Sequence, residues 1–183
     1  MDSDTIKEYV HLLFMKARIR IPFYIFAADT MWENVTKTSR ISYPIAIIQN
    51  TDKISQRGKH WLAWFVLSAT ESEFFDSYGN SIRKYKYVQK PTKLIVLENC
   101  ISIQSPTSYL CGPYCIYYIY LRSLGIPYST IMDTFTQSVS SNDFKIEQFM
   151  RTNSDVPQEF CYKNIYNPRC QSNICQYLCR DFY

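Results

Sequence analysis

The stretch that most limits the fold is "CGPYCIYYIYLRSLG", residues 111–125. Pro113 suits a first helical turn, where its missing N–H has no partner to lose. Gly125 and then Pro127 form a stop signal. Between them the predicted helix is apolar on nearly every face apart from Arg122, and a helix of that kind has to be buried. Cys111 stands at its tip, held still by whatever surrounds the helix. Cys115, one turn further in, is predicted to be a core thiol.

The rest of the chain supplies the surroundings. Ile6, Tyr9, Val10, Leu13 and Phe14 recur at helical spacing within residues 3–16, with Ser3 or Asp4 as N-cap. "RIPFYIFAAD", "SYPIAIIQNTD", "HWLAWFVLS" and "SEFFDSYGN" read as strands or extended segments, and "KLIVLEN" as another buried strand. Helices are predicted over residues 128–138 and 141–153. The second has Ser141 or Asn142 as cap and Phe144, Ile146, Phe149 and Met150 mostly on one side. The order helix, strands, helices predicts an α+β fold, with a mixed β-sheet packed against a central buried helix. Residues 1–183 carry no repeat and no Gly/Ser linker, so a single domain is expected.

Composition narrows the class. At 46% hydrophobic and 20% charged the chain is globular rather than disordered. The N-terminus starts with acids, and Lys16, Arg18 and Arg20 interrupt its apolar runs, unlike a secretion signal. No apolar run is long enough to cross a bilayer. A protein that is not secreted and has no transmembrane segment is expected, its seven cysteines reduced and at least one unpaired in a monomer. The tail pattern Cys170-x4-Cys175-x3-Cys179, with Cys161 before it, has the long gaps of a zinc site but no following histidine. Thiols on a packed tail are the preferred reading, and no metal is expected.

Glycine is scarce, and its placement is informative. Of four glycines, Gly58 precedes His60 by two residues, Gly79 follows Asp76 by three, and Gly112 follows Cys111 directly. Of two histidines, His11 lies mid-helix and His60 opens a strand after a polar loop. A thiol nucleophile needs an imidazole to exchange its proton, a third group to orient the imidazole, and donors for the oxyanion. A helix N-terminus favours the thiolate. Glu71 and Glu73 compete with Asp76 for the third role, but Asp76 falls where the strand ends. Arg83, Lys84, Lys86, Lys90 and Lys93, interleaved with Tyr85 and Tyr87, are a candidate nucleic-acid contact beside the plainer reading of a solvated face.

The order "GKHWLAW", "EFFDSYG", "QSPTSYLCG" resembles the adenain family, cysteine endopeptidases of adenoviruses and related viruses and mobile elements, within the ubiquitin-like-protein-protease clan. The likeness covers roughly residues 41–124. It implies the papain-like fold of that clan, His60 as general base and acid, Asp76 as its orienting carboxylate, and Cys111 as nucleophile. It implies Gln104 as oxyanion donor together with the Cys111 backbone N–H, and Trp61 as a wall of the substrate cleft. Gln104 and Cys111 lie seven apart as in adenain-like enzymes, whereas the SUMO-specific branch sets them one closer. The implied function is processing of viral capsid and structural precursors during virion maturation, in the virion and the host nucleus or cytoplasm. No cofactor is required by the sequence. DNA is an implied activator. The disulfide-linked peptide activator of adenovirus proteases is not carried over, because Leu94 stands where its cysteine would be. Two alternatives stay open: an isopeptidase or acyltransferase of the same clan acting on ubiquitin-like modifiers, and a non-catalytic DNA-binding module on this fold.

Overall fold

Residues 45–48 and 61–66 are apolar on both faces of the strand, so they demand cover from two sides, and they receive it. The computed structural model describes residues 1–30, 42–88 and 94–153. Helix α1 (Ser3–Lys16) is followed by strands β1 (Phe23–Phe26), β2 (Ile45–Asn50), β3 (Trp61–Val66) and β4 (Glu71–Phe75). A 3₁₀ turn (Ile82–Lys84) leads to β5 (Ile95–Glu98), and helices α2 (Cys111–Ser123), α3 (Tyr128–Asp133) and α4 (Val139–Asn153) complete the α+β architecture. The strands lie in one sheet in chain order. β2, β3 and β4 pair antiparallel, while β1 joins β2 and β5 joins β4 in parallel, so the sheet is mixed.

Alternation along the strands divides the interior in two. Ala46, Ile48, Ala63, Phe65 and Phe75 face a core shared with α1, α2 and the later helices. Ile45, Ile47, Leu62, Trp64 and Phe74 face a second, smaller core with Ile82, Val88 and Leu94. α2 packs against β2, β3, α1, α3 and α4, and Gly112 to Ile119 are all buried, as its composition requires. The Tyr118 ring stacks on Phe75 with centroids 4.6 Å apart. Arg122, the one charge of the helix, is matched by Glu73 of β4. Its Nε and Nη2 donate to the two Glu73 oxygens at 2.6 and 2.9 Å, and the Tyr118 hydroxyl adds a third bond at 2.7 Å.

Several expectations need correction. "KLIVLEN" forms a strand, but not a buried one: Ile95 and Leu97 are 69% and 52% exposed, because among the described residues β5 pairs only with β4. α1 is capped by Asp2, which accepts from the Thr5 N–H at 2.8 Å, rather than by Ser3 or Asp4. α3 stops at Asp133. α4 starts at Val139, so Asn142 lies within it, buried and bonded to Thr136 and the Ile103 carbonyl. Phe144 points outward, 55% exposed, and the polar Asn142 and Asp143 take the inner positions. The tail cysteines 161, 170, 175 and 179 lie outside the described residues. Among the described residues no helix is long and apolar enough to cross a membrane.

Arg122→Ala leaves Glu73 buried with only the Tyr118 hydroxyl, and removing one member of a buried pair costs about 3–5 kcal/mol. Urea unfolding should show the midpoint falling accordingly with an unchanged slope.

Candidate active site

The antiparallel pairing of β3 with β4 sets the start of one strand beside the end of the other. His60 immediately precedes β3, Asp76 immediately follows β4, and Cys111 is the first residue of α2. The structure brings these three together. His60 Nε2 lies 2.7 Å from Asp76 Oδ1, which leaves Nδ1 as the ring nitrogen for the sulfur, and Cys111 is near enough for each group to favour the charged form of the other. The backbone N–H groups of Trp61 and Gly112 also donate to Cys111. No side chain caps α2, so its first free N–H groups are left for that sulfur.

Asp76 has no exposed surface and five donors. Oδ1 accepts from His60 and from the Tyr78 N–H at 3.0 Å. Oδ2 accepts from the Asn80 N–H at 3.1 Å, from Asn80 Nδ2 at 2.9 Å and from the Tyr85 hydroxyl at 2.5 Å. The His60 ring stacks on Tyr78, centroids 4.9 Å apart, and on Tyr85 at 6.0 Å.

The electrostatics follow from these contacts. Burial pulls the His60 imidazole down, but bonds to Asp76 and Cys111 and their negative charges prevail and raise it to about 9. Burial pushes the Cys111 thiol up, yet the His60 bond and charge and the two backbone donors hold it below the ordinary thiol value. Burial likewise opposes the charge of Asp76, and its donors overcome that and keep it below the usual carboxylate range. Each partner therefore favours the charged form of the other, the imidazolium that of sulfur and the thiolate that of the ring. Cys115 is fully buried and pushed up by that burial, a core thiol.

A cleft of about 290 Å³ opens onto the sulfur, lined by Met1, His60, Trp61, Tyr78, Tyr109 and Cys111 among others. Trp61 lines it, its indole N–H donating to the Met1 carbonyl at 3.1 Å. Gln104 is placed differently from a group open to substrate. It is fully buried and does not line the cleft. Its Oε1 accepts from the Ser77 hydroxyl, and its Nε2 donates to the Ser108 carbonyl and hydroxyl, both at 2.9 Å, with Ser108 on the cleft wall.

No protein-family model matches the chain, and no curated protein matches its sequence.

Two glycines beside the site answer to close neighbours other than Cys111, His60 and Asp76. A Cβ on Gly58 would sit 2.0 Å from Asn50 Nδ2. One on Gly79, at φ +65°, would sit 2.4 Å from the Ile101 carbonyl carbon. Arg83, Lys84 and Lys86 are exposed, and Lys84 Nζ donates to Asn80 Oδ1 at 2.6 Å. Lys90 and Lys93 lie outside the described residues. Tyr85 is a correction. Grouped by sequence with a base-contacting stretch, it turns its hydroxyl onto Asp76. Glu71 is exposed and Glu73 is engaged by Arg122, which leaves Asp76 as the carboxylate on His60. Sequence reasoning missed Tyr78, Asn80 and Tyr85. The "DSYGN" turn signal marked the place of the first two without their role.

The sign of the pH dependence is set by both partners. The imidazolium persists at low pH and is lost as pH rises through about 9. The thiolate persists at high pH and is lost as pH falls through a value below the ordinary thiol's. The rate at which iodoacetamide alkylates Cys111 should therefore rise with pH at a lower midpoint than that of a free cysteine. His60→Ala should return the rise in rate to that of an ordinary thiol.

Proposed function

We propose that the protein is a thiol endopeptidase. What carries the proposal is a thiol at a helix tip, sharing an open cleft with an imidazole that a buried carboxylate holds at 2.7 Å. The Cys111 thiolate attacks the scissile carbonyl, and the His60 imidazolium protonates the leaving amine as the tetrahedral intermediate collapses to a thioester. His60, now neutral, takes a proton from water. The resulting hydroxide adds to the thioester, and its collapse releases the new carboxyl end and regenerates the pair. The Cys111 backbone N–H and the Gln104 amide are the proposed oxyanion donors, with Gln104 giving up a bond to Ser108 as substrate enters.

The cleft walls supply the substrate preference. Trp61, Tyr78, Tyr109 and Met1 crowd the approach to the sulfur, which suits small residues beside the scissile bond. Together with the likeness of the three motifs to adenain-like enzymes, this favours maturation of viral capsid and structural precursors.

Incubation with capsid precursors and, separately, with conjugates of ubiquitin-like modifiers tests the substrate class. Cleavage of the precursors is expected. Consumption of the conjugates alone would reassign the enzyme as an isopeptidase. Cys111→Ala should abolish turnover, and a fully active Cys111→Ala protein would sink the proposal. Gln104→Ala should lower kcat by about 10²–10³ if its amide meets the oxyanion.

A further inference from the structure

We infer that Asn99 is a positioning residue for the Asp76–His60 pair, an inference that rests on the thiol-protease reading of the site. The last paired residues of β4 and β5 are Phe74 and Glu98. Just beyond them the Asn99 side chain takes over the role of a strand backbone. Its Oδ1 accepts from the Asp76 N–H at 2.8 Å, and its Nδ2 donates to the Asp76 carbonyl at 2.6 Å and to the Ile101 carbonyl at 3.3 Å. Both residues are buried, Asn99 at 4% exposure and Asp76 at 0%. Without that amide the Asp76 N–H is left buried and unpaired, which the chain avoids by shifting the backbone. An Asp side chain has only two torsions, so a shift of the Asp76 main chain is passed directly to the carboxylate that holds His60.

The same strip fixes the rest of the turn. The Ile103 and Gln104 N–H groups both donate to the Ser77 carbonyl, at 2.9 and 3.1 Å, and Gly79 lies against Ile101. The turn 76–79 is thus clasped along its length by residues 99–104, with Asn99 gripping the residue that does the chemistry. Only an amide fits. Aspartate keeps the acceptor for the Asp76 N–H but loses the donor and sets a second negative charge beside the first, and alanine loses both bonds.

The test needs no known substrate. Cys111 alkylation by iodoacetamide is followed from pH 5 to 9 by peptide-resolved mass spectrometry in the full chain, as wild type, Asn99→Ala and Asn99→Asp, each checked for cooperative thermal unfolding. Cys100→Ser, changing the exposed neighbouring residue, is the control and should match wild type. In folded Asn99 variants the midpoint of the rate profile should move up toward that of free cysteine, each unit of that move lowering the rate on the acid limb about tenfold. A folded variant with the wild-type profile overturns the inference alone. Failure of both variants to fold makes Asn99 a support of the fold and overturns it too. A wild-type Cys111 whose midpoint is that of a free cysteine overturns the protease reading and this inference together.

Discussion

A carboxylate cut off from solvent keeps its charge only if the protein replaces the water it has lost. Asp76 meets that demand with donors from its own turn, from the Tyr85 hydroxyl and from His60. Most of the site's order follows. With one side of the imidazole committed to Asp76, the other faces the helix tip, and the negative charge behind the ring favours its protonated form. A protonated ring in turn favours sulfur as thiolate. Tyr78 and Tyr85 lie along the ring and limit its swing, while Asn80 ties the exposed Lys84 to the same carboxylate.

β4 settles both ends of the central helix. Glu73, within the strand, takes Arg122 in the last turn of α2, where a cation also suits the helix dipole. Phe75 stacks on Tyr118 midway along. Asp76, the next residue, works through His60 on Cys111 at the opposite end. Two inward positions of β4 and the residue that follows it therefore fix how far α2 lies along its axis, and the sulfur is placed by the same register that buries the helix.

The parts of this arrangement that were legible in the sequence are those with local signatures. Residues 111–125 could only be a buried helix, and the strand runs at 45–48 and 61–66 announce themselves by continuous apolar character. His60, Asp76 and Cys111 emerged because each stands at a strand or helix boundary. What stayed hidden depends on partners distant in sequence. Ile95 and Leu97 look like core residues until their strand is found with β4 as its one described neighbour. Asn99 has no pattern of its own, since its partner is 23 residues away. Tyr85 sits in a basic, outwardly polar run, and nothing in such a run marks the one hydroxyl that turns inward. Phe144 follows helical spacing, yet Asn142 and Asp143 take the inner positions because buried polar groups of the 103–108 loop and Tyr114 need them.

The Trp61 indole spends its N–H on the Met1 carbonyl, and the Met1 sulfur lies 3.5 Å from where a Cβ on Gly112 would be. Asp2, the next residue, is the cap that starts α1. Fraying of the first turn of that helix would thus carry away a piece of the cleft wall, and solvent would reach the Cys111 sulfur from a side that Met1 now screens.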